Sequence, residues 1–192
     1  MAATESNMVP LGTRAPDFSL PEVATGQWIE SPKFAAGQPL LIVFLCAHCP
    51  YVVHVAPELA KLSQEYTQKQ VQFLGITSND IEQYPQDAPD STAQFATQYG
   101  LSFPIVYDES QAVAHAYSAA CTPDVFLFDK DHKLFYRGQI DDSRPGRGTP
   151  TGTHLRAALD AVLSGKPASE NQLPSIGCSI KWKPGNTPNL IR

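Results

Sequence analysis

The sequence predicts an α/β protein in which helices flank a mixed central sheet, with an N-terminal hairpin and an ordered C-terminal extension. Apolar segments of strand length alternate with segments of helical period along most of the chain, which is typical of parallel strands joined by helices. The last two strand segments, residues 125–129 and 133–137, are separated by a short connection that suits an antiparallel hairpin. Both kinds of strand pairing are therefore expected in one sheet.

The stretch from residue 40 to residue 66 shows this pattern most clearly. Residues 40–45 are apolar and uncharged, which predicts a strand that is buried on both faces. After Pro50 the apolar residues follow a helical period, and proline suits the first position of a helix, where no N–H group is needed. Cys49 is therefore expected to cap a helix that follows a buried strand. The free N–H groups and the helix dipole at that place favour a thiolate.

The remaining elements follow in chain order. Phe18 and Leu20 alternate with polar neighbours as in a short strand, and Trp28 with Ile29 is expected to return along it as a hairpin. Residues 81–90 are polar and rich in proline, which predicts a loop at the carboxyl end of the second central strand. Further strands are predicted at 71–76 and 103–107, and further helices at 91–99, 111–117 and 153–164.

The chain is long enough, at 192 residues, for one domain with a substantial core. We expect three parts: a flexible tail at residues 1–13, the domain at 14–165 and a C-terminal extension at 166–192. The extension is polar, yet Ile176, Cys178, Ile180 and Trp182 recur at every second position, which is strand spacing. We therefore expect the extension to be ordered and to pack its apolar residues on the domain.

Composition argues against several classes of function. Charged residues make up 17% of the chain and the net charge is −5, which disfavours nucleic acid and an anionic membrane surface as partners. Four cysteines are too few for a disulfide scaffold. The sequence has neither a secretory signal pattern nor an apolar run of about 20 residues. We expect a cytoplasmic protein, in which thiols are kept reduced and a CxxC pair is more often redox-active than structural.

Two segments carry a resemblance to a known family. Residues 12–21, GTRAPDFSLP, and the cysteine stretch at 40–66 are similar in order and spacing to the AhpC/TSA (redoxin, peroxiredoxin-like) proteins of the thioredoxin-like superfamily. The resemblance implies a thioredoxin-like fold for residues 14–165. It also implies an oxidoreductase that acts through a thiol and needs no cofactor.

The same resemblance implies roles for single residues. It places Cys49 at the position of the family's nucleophile. Val52 stands where thioredoxins have the resolving cysteine, and Val43 stands where they have a buried carboxylate. Thr122 and Pro123 take the place of the cis-proline segment, which packs beside the nucleophile and whose backbone binds the substrate. Cys49 is thus the expected catalytic residue, and its partner lies elsewhere in the chain.

The other three cysteines are candidates for that partner. Cys46 forms a CxxC pair with Cys49, which is a redox signal, although a passive small residue would also fit there. Cys121, just before Thr122, and Cys178 in the extension are possible resolving or accessory thiols, or buried core residues. A zinc site made of all four thiolates is a further alternative, but the chain has one CxxC pair, so we expect no metal. We favour Cys46 as the resolving residue.

Polar residues around Cys49 have two interpretations. His48 could favour a thiolate by its charge, and with Pro50 it is expected to belong to the substrate-binding surface. An exposed histidine is the plainer alternative. The sequence assigns no role to a second histidine or to the residues of a charged loop, which are His54, Asp141, Asp142, Arg144 and Arg147.

Three functions are compatible with these residues. The first is thiol–disulfide exchange, in which the Cys49 thiolate attacks a disulfide and a second cysteine resolves the product. The second is peroxide reduction through a sulfenic acid. The family's peroxidases carry a proline and a hydroxyl residue at positions that fall here on Ile42 and Cys46, so exchange is favoured. The third is a non-enzymatic redox sensor or binding module. The expected partners are a protein or small-molecule disulfide or peroxide and a thiol reductant such as thioredoxin or glutathione.

Overall fold

The computed structural model describes residues 3–188, within which it has ten strands and five helices. The strands are β1 (Ala3–Glu5), β2 (Ser19–Pro21), β3 (Trp28–Glu30), β4 (Leu40–Phe44), β5 (Gln72–Thr77), β6 (Ile105–Tyr107), β7 (Cys121–Thr122), β8 (Asp124–Phe128), β9 (Leu134–Arg137) and β10 (Ile176–Ser179). The helices are α1 (Ser31–Phe34), α2 (Pro50–Thr67), α3 (Pro89–Tyr99), α4 (Ala112–Ala116) and α5 (Thr153–Leu163).

The central sheet has five strands in the order β6-β5-β4-β8-β9. Strand β4 lies in the middle, parallel to β5 and antiparallel to β8, and β5 is parallel to β6. Strands β8 and β9 form the antiparallel hairpin that the short connection predicts. Near the N-terminus, β2 and β3 form the second expected hairpin. The predicted α/β architecture with mixed strand pairing is confirmed.

Buried side chains cover both faces of β4, because side chains alternate along a strand. Leu41 and Val43 pack in one hydrophobic cluster with residues of α2 and α5. Ile42 and Phe44 pack in a second cluster on the opposite face, with Tyr117 just after α4. This burial fixes the carboxyl end of β4, and with it the loop that leads into α2.

Helix α2 spans 18 residues and lays its apolar stripe on the sheet. Val55, Leu59 and Leu62 on this stripe are buried, whereas Glu65 and Lys69 form an ion pair at 2.8 Å on the other side. Pro57 lies inside the helix. Of the helices within residues 3–188, none combines the length and the apolar character that a membrane crossing needs.

Residues 3–6 pair with the C-terminal extension, whereas we predicted a flexible tail at residues 1–13, of which residues 1 and 2 lie outside the described part of the chain. Strand β1 pairs with β10 antiparallel, and Ser6 exchanges hydrogen bonds with Ser175, one from each backbone N–H at 2.9 Å. For the described residues of this segment the prediction is wrong, because backbone hydrogen bonds hold them. Its side chains carry no apolar pattern, whereas β10 offers a strand edge that can pair with any extended chain.

The C-terminal extension crosses the domain beside β7. Strand β10 lies between β1 and β7 in a three-stranded sheet, and Cys178 and Ile180 are buried. Trp182 is half-buried, with its ring 4.5 Å from the ring of His115. Two hydrogen bonds of the Lys181 backbone tie the extension to the residues that follow β5. The Lys181 N–H donates to Asn79 Oδ1 at 2.8 Å, and the Lys181 carbonyl oxygen accepts from the Asp80 N–H at 2.8 Å. These contacts place the extension over the carboxyl ends of β4 and β5.

Candidate active site

Cys49 lies between the buried strand β4 and helix α2, at the end of the loop that joins them. It is the N-cap residue of α2, with φ −74° and ψ 119°, and Pro50 occupies the first turn. The side chain is fully buried. Its Sγ lies 3.1 Å from the Thr122 carbonyl oxygen, to which the neutral thiol donates a hydrogen bond. The peptide bond between Thr122 and Pro123 is cis.

Pairing between β4 and β8 brings Thr122 to the thiol. Asp124 lies opposite Phe44, so the two residues before Asp124 meet the loop that follows β4. Cys46, in that loop, has its Sγ 3.4 Å from Thr122 Oγ1. Thr122 thus contacts both cysteines of the CxxC pair, one through its side chain and one through its carbonyl group.

Neighbouring hydrogen-bond donors make Cys49 the acidic thiol of the site. The hydrogen bond from the Cys46 thiol is the largest cause, and those from the Thr122 side-chain hydroxyl, the Cys178 thiol and the Val52 backbone N–H add to it. Together they lower the pKa of Cys49 to about 5, against the opposing effect of burial. A thiolate that accepts several hydrogen bonds is stabilised relative to the thiol. Cys49 is therefore ionised at neutral pH.

The donor thiols are affected in the opposite direction. The hydrogen bond to Cys49 raises the pKa of Cys46 far above its usual range, and burial and the Asp87 carboxylate raise it further. Burial, followed by the hydrogen bond to Cys49, raises the pKa of Cys178 to about 12. Both residues are thus neutral donors around one thiolate.

Cys121 is separated from the other three thiols by the alternation of β7. Cys178 lies opposite Thr122 and Cys121 lies opposite Ser179, so the side chains of Cys121 and Cys178 point to opposite faces. The Cys121 thiol contacts the Pro123 carbonyl oxygen at 3.6 Å, and burial raises its pKa. The structure therefore brings together three of the four candidate cysteines.

His48 contacts an acid that the sequence analysis did not identify. Its Nδ1 lies 2.5 Å from Asp87 Oδ2, and its backbone N–H donates to Asp87 Oδ1 at 3.2 Å. Asp87 is fully buried and also accepts from Asn79 Nδ2 at 2.8 Å. The ring of His48 lies parallel to that of Tyr84, at 5.8 Å. The sequence contains one indication of this contact, which is that residues 81–90 follow β5 as His48 follows β4. The carboxyl ends of two parallel neighbouring strands meet at the same edge of a sheet, so the segments that follow them lie close together.

One group of side chains has the composition of a metal site. Single ligand atoms of Cys46, His48 and Asp87 lie within 4.8 Å of one another. The histidine and aspartate atoms are only 2.5 Å apart, however, whereas two ligands on a tetrahedral zinc ion are separated by about 3.3 Å when each bond is about 2.0 Å. Their geometry is that of a hydrogen-bonded pair. Among residues 3–188, the four cysteines do not form such a group.

His54 and the charged loop form a separate network beside the first turn of α2. His54 Nε2 lies 2.9 Å from Ser143 Oγ, which donates to Asp141 Oδ1 at 2.5 Å. Asp141 also accepts N–H groups of Thr151 and Gly152 at the start of α5. The other charged residues serve the same loop: Asp142 accepts from Gln139, Arg144 donates to Gln139, and Arg147 pairs its backbone with Arg144.

The order of the central strands, the cysteine at the start of α2 and the adjacent cis-proline define a thioredoxin-fold protein with a thiol site. The Redoxin family model matches residues 10–153, and the chain belongs to the Redoxin family.

The chain is also similar to individual proteins of known sequence or structure. The chain is 53% identical to an uncharacterized conserved protein of Geobacillus kaustophilus, with a TM-score of 0.93 over 96% of this chain and 98% of that one. A putative thioredoxin from Neisseria meningitidis is 26% identical, with a TM-score of 0.63 over 81% of this chain and 93% of that one. The thiol-disulfide oxidoreductase ResA of Halalkalibacterium halodurans is 28% identical over 131 residues, which cover 68% of this chain and 69% of that protein.

Proposed function

We propose that this protein catalyses thiol–disulfide exchange with Cys49 as the nucleophile and protein disulfides as substrates. The observation that carries the proposal is the position of Cys49, which caps α2 beside the Thr122 carbonyl oxygen and has its pKa lowered to about 5 while those of the other three thiols are raised. A thiolate is the form of cysteine that attacks a disulfide. Relatives described as thiol-disulfide oxidoreductases support the same chemistry.

The exchange takes two steps. The Cys49 thiolate attacks one sulfur of the substrate disulfide, so that a mixed disulfide forms and the other substrate sulfur leaves as a thiolate. A second thiol of the protein then attacks the Cys49 sulfur, forms an intramolecular disulfide and releases the remaining substrate thiol. A thiol reductant such as thioredoxin or glutathione returns the protein to its reduced state.

Cys46 is the proposed resolving residue. Its thiol is hydrogen-bonded to Cys49, and the two residues are three positions apart in one loop, so a disulfide between them needs only local rearrangement. Cys178 also contacts Cys49, but its strand is held on both sides by β1 and β7. A disulfide to Cys178 would therefore have to move a paired strand.

Peroxide reduction is the second candidate, and the site offers it little support. The hydrogen bonds around the Cys49 sulfur come from other thiols, Thr122 and the Val52 N–H. The nearby Arg144 guanidinium instead donates to Gln139 and to backbone carbonyls of its own loop. With that guanidinium engaged elsewhere, the site activates a peroxide poorly.

Disulfide reduction is expected to exceed peroxide reduction when both are measured with the same dithiol reductant. Insulin reduction and hydrogen peroxide consumption provide the two assays. We expect a kcat/KM for peroxide below roughly 10⁴ M⁻¹s⁻¹, the low end of ordinary enzyme efficiency. Faster peroxide turnover would contradict the preference for exchange. A single oxidation without turnover in either assay would point to the sensor.

A further inference from the structure

Cys46 poses a chemical problem as the resolving residue. It must lose its proton before it can attack the Cys49 sulfur, yet burial and the Asp87 carboxylate both oppose its ionisation. The carboxylate that thioredoxins place in the central strand is replaced here by Val43, which is buried among apolar residues. Resolution therefore needs another group that accepts the Cys46 proton.

The imidazole ring of His48 lies close to the Cys46 thiol. A ring nitrogen of His48, the Cys46 sulfur and an Asp87 carboxylate oxygen all lie within 4.8 Å of one another, a separation that a rotation of the ring or one water molecule can bridge. Asp87 approaches Nδ1 at 2.5 Å, and an ionised carboxylate only accepts hydrogen bonds. In the neutral ring the proton is therefore on Nδ1, and Nε2 carries the free lone pair.

The Nε2 atom of His48 is buried, and it has no hydrogen-bond partner among the residues that the structure describes. A buried polar atom without a partner costs roughly 1–3 kcal/mol, so its persistence calls for an explanation, of which a catalytic role is one. The Asp87 carboxylate is in turn held by Asn79 and by the His48 backbone N–H. A base oriented by a buried acid beside a thiol is the arrangement that activates nucleophiles in other enzymes.

We propose that His48, oriented by Asp87, accepts the proton of Cys46 when this thiol resolves the mixed disulfide; this inference rests on the proposed function. The Cys46 proton moves to Nε2 of His48, and the Cys46 sulfur attacks the Cys49 sulfur. The Cys46–Cys49 bond forms as the bond between Cys49 and the substrate breaks. The departing substrate thiolate takes the proton from the imidazolium, so the pair of cysteines is oxidised and the substrate disulfide is fully reduced.

The groups around His48 come from three segments. Asp87 and Tyr84 belong to the segment after β5, and Cys46 and Cys49 flank the histidine in its own loop. The extension contributes two residues. Cys178 lies beside Cys49, and the Nζ atom of Lys181 lies 5.8 Å from the centre of the Tyr84 ring. Asp87 is the group among these that contacts the imidazole ring through a hydrogen bond, and it stabilises the imidazolium that forms.

A coloured aromatic disulfide, 5,5′-dithiobis(2-nitrobenzoate), separates the two steps, because attack by Cys49 and resolution by Cys46 each release one coloured thiolate. We expect His48→Gln to slow the second release by roughly 10²-fold at pH 7, the lower end for general base catalysis, and to leave the first nearly unchanged. The mixed disulfide at Cys49 then accumulates, and the second rate rises with pH because only spontaneously ionised Cys46 reacts. Asp87→Asn should act in the same direction, and it tests the same step independently if His48→Gln does not fold.

His54→Gln is the matched control, since His54 lies in the first turns of α2 but bonds to Ser143. Wild-type rates in this variant support the inference. A second release as fast in His48→Gln as in the wild type overturns it, as does peptide mapping of a Cys49–Cys178 disulfide in the oxidised wild type. Equal slowing of both releases means that His48 acts on Cys49 instead. Absence of the first release in the wild type contradicts the proposed function itself.

Discussion

Replacement of Cys49 by serine is expected to reduce disulfide turnover by more than roughly 10³-fold, which corresponds to about 4 kcal/mol of transition-state stabilisation. A serine hydroxyl is not ionised at neutral pH, whereas the Cys49 pKa of about 5 keeps the native thiol ionised. The hydroxyl also cannot form the mixed disulfide on which both later steps depend. The measurement is insulin reduction with a dithiol reductant, with thermal unfolding of the variant recorded alongside.

Cys121→Ser is the matched control for this substitution. Cys121 is also fully buried and adjoins Thr122, but its side chain lies on the other face of β7. We expect its turnover to stay within about twofold of the wild type, since neither step of exchange touches it. Turnover in Cys49→Ser at a rate comparable with the wild type would show that another thiol starts the reaction.

Replacement of Ile180 by alanine is expected to lower the free energy of unfolding by about 2–5 kcal/mol, as for other large buried aliphatic residues. Ile180 is 3% exposed and packs in the cluster that contains Phe44 and Tyr117. For a domain of this size the loss corresponds to a Tm lower by roughly 4–20 °C. Deletion of residues 170–192 should have a larger effect, because it also removes β10 from between β1 and β7.

Leu173→Ala serves as the control in the same extension, since Leu173 is 55% exposed. Its Tm should change by no more than about 2 °C, as is usual for exposed positions. Differential scanning calorimetry gives both values. An unchanged Tm for Ile180→Ala, or for the deletion, would contradict the role of the extension as part of the folded domain.

The sequence predicts best what is encoded locally. The apolar run of β4, the helical period after Pro50 and the proline itself are all short-range signals, and together they place Cys49 at the start of α2. The hairpin of β8 and β9 follows from the short connection, residues 130–132, between the two predicted strand segments. Burial on both faces of β4 likewise follows from its uninterrupted apolar composition.

What the sequence does not predict depends on contacts between distant segments. The Asp87 carboxylate lies in a proline-rich segment with no recognisable motif, and only the parallel pairing of β4 and β5 brings it to His48. The contact of Cys178 with Cys49 requires β10 to lie beside β7. Strand β1 is held by backbone hydrogen bonds, to which its side-chain pattern gives no clue.

The division of roles within the CxxC pair is also set by the fold. Spacing alone treats Cys46 and Cys49 alike as redox partners. In the folded protein Cys46 donates its hydrogen bond to Cys49 and faces the negative charge of Asp87, whereas Cys49 receives several donors. The same electrostatic environment therefore lowers one pKa and raises the other.

The rate of alkylation of each cysteine as a function of pH tests the central claim most directly. The reduced protein is treated briefly with iodoacetamide between pH 4 and pH 10, and the labelled residues are identified by mass spectrometry. Because only the thiolate reacts, labelling of Cys49 should rise through a midpoint near pH 5 and be constant at neutral pH, well below the value of about 8.5 for an ordinary cysteine. Cys46, Cys121 and Cys178 should remain unlabelled over the same range. A Cys49 midpoint at or above about 8.5, or a lower midpoint at another cysteine, would contradict the assignment of Cys49 as the nucleophile.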